Sequence, residues 1–141
     1  MLHSAGLAER AQELRAFCRY GSSLPQRVSE LAIIMTAAHW RACYEWHAHA
    51  NRRRSRHRWR DNRVRERLVL EKSDEQAVHA FVSELLEKRR VSDETYSRAR
   101  SELGERRVVD LVGILGCYAL ISMTIVAFAV IVPDAVTEPF A

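Results

Sequence analysis

Apolar residues recur along this chain at three- and four-residue intervals, and no run alternates apolar with polar residues as a half-buried strand would. The pattern predicts an all-α fold. A first helix is expected from about Ser4 to Tyr20, with Leu7, Ala11, Leu14 and Phe17/Cys18 on one face and Gly21 placed to end it. Pro25 opens the next helix, where its missing N–H costs nothing, and Val28, Leu31, Ala32 and Met35 supply an apolar stripe. The helical pattern continues through Trp40 to His49, with room for a break between Ala38 and Ala42. Ser73-Asp74-Glu75-Gln76 has the form of a capping box, with the serine accepting from first-turn N–H groups and the glutamine reaching back. Val78, Phe81, Val82, Leu85 and Leu86 follow at helical spacing. Ser92-Asp93-Glu94 announces another N-terminus, Leu103-Gly104 closes that short helix, and a last helix is expected from about Glu105 to Val132, before Pro133.

Length and composition narrow the class. A chain of 141 residues is long enough for one core and short of two, so one domain is expected over residues 1–141. Cys18, Cys43 and Cys117 are odd in number and widely spaced, which argues against a disulfide framework and suits a reducing cytoplasm. The first twenty residues are amphipathic and lack the basic end and apolar block of a signal peptide. The net charge is +4, but residues 52–67 hold nine arginines against Asp61 and Glu66; that segment's +7, taken from the total, leaves −3 elsewhere. The basicity therefore belongs to an atypical stretch within residues 51–70. Arg52, Arg53, Arg54, Arg56, Arg58 and Arg60, with Trp59 among them, have the composition of an anion-binding stripe with a stacking aromatic. The same composition suits a solvated connection, which is the favoured reading. A local change of reading frame is a third account of the block.

The segment from His39 to His49 carries the chemistry. It crowds His39, Trp40, Cys43, Tyr44, Glu45, Trp46, His47 and His49 into one helical region. Glu45 and His49 are one turn apart and face the same way. A carboxylate beside an imidazole holds the ring in a chosen tautomer and raises its pKa.

Leu24-Pro25-Gln26-Arg27-Val28-Ser29-Glu30-Leu31-Ala32-Ile33, followed by Ala38-His39-Trp40 and Tyr44-Glu45-Trp46-His47-Ala48-His49, resembles the carboxymuconolactone decarboxylase family, within the alkylhydroperoxidase D-like superfamily. The resemblance covers Phe17 to Ala50 and Lys72 to Pro133 and lapses over the arginine block. It implies an all-helical, oligomeric bundle of about five to six helices. Redox members carry a glutamate, a Cys-x-x-Cys about a dozen residues later, and a histidine four residues beyond the second cysteine. On this chain those positions are Glu30, Ala42 and Glu45, and His49. Both family cysteines are missing, and Cys43 lies about 100° around a helix from Ala42, so it does not replace the lost thiol. What the resemblance leaves is Glu30, Glu45 and His49, with a relay from Glu30 toward His49.

A carboxylate in the second cysteine's place cannot cycle through a disulfide. It can serve as a base or orient an imidazole. The leading expectation is therefore cofactor-free acid–base chemistry, a decarboxylation or related lyase step, on a small carboxylated oxo-acid or lactone. His49 would move the proton, Glu45 would be its partner and Glu30 the relay, with His39, Trp40, Tyr44 and Trp46 around the pocket. The plain alternative makes the aromatics core and Glu45–His49 a surface ion pair, with Glu30 pairing to Arg27 or Arg41. Other readings are a peroxidase-like protein using Cys43 and a non-catalytic binder using the arginine segment. His39, Cys43 and His47 stand at four-residue steps, but successive turns are about 5.4 Å apart, so no metal is expected on them. Residues 111–132 carry no charge over 22 positions, enough to cross a bilayer by length. Gly113, Gly116, Ser122 and Thr124 dilute that run, which favours a core helix that also mediates self-association. The expected partners are a small-molecule substrate and further copies of the chain, as dimer, trimer or hexamer, with neither nucleic acid nor membrane.

Overall fold

The computed structural model describes residues 3–54 and 70–131. Among them every regular element is helical: α1 Ala5–Ala16, a π-helical turn Phe17–Gly21, α2 Gln26–His39, α3 Cys43–Arg54, α4 Ser73–Lys88, α5 Asp93–Leu103 and α6 Glu105–Ala127. The all-α class read from the periodicity is the class observed.

The bundle is organised around α2, which packs against α3, α4 and α6. Val28 to Ile34 are buried without interruption, so this helix is enclosed on all sides and Glu30 is buried with its neighbours. Val28, Leu31 and Ile33 join Val78, Phe81 and Val82 of α4 and Leu111, Ile114 and Tyr118 of α6 in one core. Polar clamps fix the partners at their ends. The Arg27 guanidinium pairs with both oxygens of Asp74 and reaches Glu75 Oε1 at 3.2 Å, tying α2 to the first turn of α4. Asp110 of α6 accepts from the backbone N–H of Ser23 at 2.7 Å and from its hydroxyl at 2.6 Å, fixing the entry to α2. Glu84 of α4 accepts from the Ser92 N–H and hydroxyl at 2.9 and 3.0 Å, while the Ser92 hydroxyl accepts from Thr95 N–H and caps α5.

Several boundaries differ from those expected. The first helix changes to a π turn at Phe17, closed by Ser22 N–H to the Phe17 carbonyl at 2.9 Å. Nothing in α1 is buried: Leu7, Leu14 and Phe17 are all exposed, and of the expected apolar face only Cys18 enters the core. The π turn adds a residue to the helical period, so the stripe of α1 does not continue onto the bundle. The break allowed for between Ala38 and Ala42 is present, at Trp40–Ala42, where Arg41 takes φ 53°. Ser73 is not the cap of α4; it is the first helical residue and donates to Glu102 Oε2 at 2.7 Å, while Gln76 reaches back to the Leu70 carbonyl at 2.9 Å. The last helix ends at Ala127, and Ala129 follows with φ 46°.

α4 ends on Arg89 in the left-handed conformation at φ 56°, its N–H bonded to the Leu85 carbonyl at 3.0 Å. An L side chain there costs what glycine would not. Arg89→Gly is expected to raise unfolding stability by about 0.5–1 kcal/mol in urea titration; an unchanged or lowered midpoint would show that the Arg89 side chain contributes more than its backbone strain costs.

Candidate functional site

Glu30 sits in the second turn of α2, and Glu45 and His49 share one face of α3. The turn at Trp40–Ala42 folds α3 back on α2, bringing residues 19 positions apart into contact. Glu30 Oε2 lies 2.5 Å from His49 Nδ1, and Glu45 Oε1 lies 2.8 Å from Nε2. All three residues are buried, His49 to 1% exposure. The alternative pairing of Glu30 with Arg27 does not occur, since that guanidinium is committed to Asp74 and Glu75.

The two contacts differ in kind. Glu30 meets Nδ1 as a hydrogen bond, whereas Glu45 Oε1 is close to Nε2 but off the line of a formed hydrogen bond. With an acceptor at each nitrogen, a neutral ring has one N–H too few for both, whereas an imidazolium has a donor for each. Burial works against the charged ring, but the two carboxyl groups at its nitrogens, Glu30 and Glu45, outweigh it, and the His49 pKa is raised above its ordinary 6.5.

Tyr118 of α6 closes another side. Its ring stands edge-on to the imidazole, centroids 5.3 Å apart at 87°. Burial, and then the charge of Glu45, push the phenol up to about 12, so it stays a proton-bearing hydroxyl. The Tyr118 hydroxyl, and that of Ser122 one turn further along α6, are buried without a hydrogen-bond partner among the described residues. Neither residue was singled out in the sequence; an apolar helical stripe gives no signal that one of its members faces a buried acid.

The other expected site residues scatter. Trp40 and Trp46 are half-buried, but Tyr44 and His39 are exposed, so neither walls a pocket within this chain. Tyr44 is one position from Glu45 and so points about 100° away from the inward face. His39 ends α2 and stacks edge-on to Trp40 at 5.8 Å. Cys43 is half-buried at the start of α3, its Sγ 3.7 Å from the Arg41 carbonyl. The turn separates His39 from Cys43 and His47, and Glu30 and Glu45 meet opposite nitrogens of His49 and not a common point. Among the described residues no group of three or more His, Cys, Asp or Glu is arranged to hold a metal. The backbone of α3 runs through Arg52, Arg53 and Arg54; their side chains, and Arg56, Arg58 and Arg60 entirely, lie outside the described residues.

Because the His49 pKa is higher folded than unfolded, its contribution to stability is complete below about 6.5 and is lost as pH rises through the folded pKa. Imidazole NMR should place the His49 titration midpoint above 6.5, and His49→Gln should flatten the alkaline loss of stability; a midpoint at or below 6.5 would refute the raised pKa. Compared with models of known protein families, with curated proteins and with solved structures, the chain matches none.

Proposed function

We propose that this chain is a carboxymuconolactone decarboxylase-like protein without the dithiol centre, using His49 to transfer a proton to or from a small carboxylated oxo-acid or lactone. The observation that carries the reading is the buried Glu30–His49–Glu45 line, an imidazole with a carboxyl group at each nitrogen and its pKa raised by them. The all-helical bundle is compatible with it.

The asymmetry of the line supports this division of roles. Glu30 holds Nδ1 and fixes the ring; Glu45, off line, is the partner a substrate can displace from Nε2. In a decarboxylation the C–C bond to the carboxylate breaks, CO2 leaves, and the electron pair remains on the substrate carbon. Nε2–H delivers a proton to that carbon, and Glu45 receives the ring when the product departs. The neutral Tyr118 hydroxyl is a donor to an oxyanion on the substrate beside it. Half-buried Trp40 and Trp46 supply the apolar surroundings that keep water from competing for the proton. His49→Gln, which keeps size and polarity, should lower CO2 release from oxo-acids or lactones by 10²–10⁴-fold, roughly the range of one general acid. Glu30→Gln should shift the pH–rate profile toward acid by lowering the histidine pKa. Full activity in His49→Gln would remove the assignment.

Self-association belongs to the same proposal. Val109, Val112, Met123 and Val126 are exposed along one face of α6, with Gly113 and Gly116 among them and open space beyond both glycines. A row of apolar side chains around two glycines lets another backbone approach closely. α6 is also long and apolar enough, by length and composition, to cross a membrane. Light scattering of the detergent-free protein should give a multiple of the 16.2 kDa chain, and Val112→Glu should reduce it. A monomer in both proteins, or recovery only in detergent, would assign the face otherwise.

A further inference from the structure

Two cysteines outside the Glu–His–Glu line meet in the core. Cys18 lies in the π turn and Cys117 in the middle of α6, segments packed against each other, and the two are 1% and 3% exposed. Both belong to one buried cluster of the core, and each thiol lies close enough to shift the other's pKa. Among the described residues before Gly21, Cys18 is the single buried one, and it lies in the π turn. A π insertion carries a cost in backbone geometry, and this one carries the buried thiol.

We propose that Cys18 and Cys117 are a guarded dithiol that closes into an intramolecular disulfide when a hydroperoxide reaches it. One sulfur attacks the peroxide oxygen, the O–O bond breaks, and an alcohol or water leaves, giving a sulfenic acid. The second sulfur then displaces its hydroxyl as water. The peroxide gains two electrons, and the two thiols lose two electrons and two protons.

Access and restraint come from the same elements. The residues flanking Cys18 in the turn include Phe17 and Tyr20, both exposed, and α1 buries nothing, so opening this segment to a peroxide would release from the core Cys18 and no residue of α1. In the closed state burial pushes both thiols up, Cys117 to about 12, with the charge of Glu45 among the lesser causes. The pair is therefore held as thiols until the turn opens. Closure would tether the N-terminal segment to α6 at the residue preceding Tyr118, whose ring stands against His49. The inference is independent of the decarboxylase reading and of Cys43.

The test uses full-length Cys43→Ser protein, which retains only this pair among the chain's three cysteines. After hydrogen peroxide, unfolding in an alkylating reagent should find neither thiol reactive. The intact monomer should be lighter by about 2 Da, the mass of the two hydrogens lost when an S–S bond forms, and dithiothreitol should restore both thiols. Adding Cys18→Ser should abolish the mass loss and leave Cys117 alkylated or oxygenated. Two alkylated thiols, oxygen added to either sulfur of the pair, or a cross-link between chains would overturn the proposal.

Discussion

The pairing of His49 with two buried carboxyl groups is the constraint from which the rest of the site follows. Two carboxyl groups buried in an apolar bundle demand a compensating charge, because an isolated carboxylate in such surroundings costs several kcal/mol even after relaxation. The imidazolium supplies that charge only if α3 lies back along α2, and it can do so only through the turn at Trp40–Ala42. A buried arrangement of this kind adds little net stability against an apolar replacement of the same volume, yet losing one member leaves the others uncompensated.

Around that centre the clamps work by charge at helix ends. Arg27 engages the acidic first turn of α4, where carboxylates already oppose the helix dipole, and Asp74 is held below the usual carboxylate range by that guanidinium. Asp110 is lowered by its hydrogen bonds from Ser23, and half-buried Glu84 falls to about 2 through bonds from Ser92, Lys88 and Thr95. These interactions determine where α2, α4, α5 and α6 begin relative to one another, and the apolar core fills the space so defined. α1 has no such clamp and no buried face, which leaves Cys18 as its deepest attachment.

The sequence was most legible where one residue's conformation decides the outcome. Pro25 before α2, Ser92 capping α5 and Gly104 closing it at φ 84° mark elements that the structure contains. It was least legible where tertiary context decides. The capping-box pattern at Ser73 yields to Glu102, a partner 29 residues away, and no local rule places the π turn or the left-handed Arg41. The pairing of Glu45 with His49 follows from helix geometry alone, because i and i+4 share a face. Glu30 reached the same site in the sequence only through a family resemblance, since its contact with His49 depends on the angle of a turn. The aromatic wall fails at Tyr44 for a related reason: density of aromatic residues along a helix says nothing of which side is enclosed.

The polar groups left over around His49 bear on why Tyr118 and Ser122 stand where they do. A buried hydroxyl without a partner costs about 1–3 kcal/mol, and folded proteins rarely leave such groups unmet. Tyr118 and Ser122 lie one turn apart on α6, and the nearest charged influence on the phenol is Glu45, whose own Oε1 is not in hydrogen-bond line. Phenylalanine and alanine at these two positions would pack the same helix without that cost. The phenol beside the His49 ring and a loosely held carboxyl oxygen at its Nε2 make a set of donors and acceptors in excess of what the fold uses, which is the property a site needs if a substrate's carboxylate or carbonyl is to complete it.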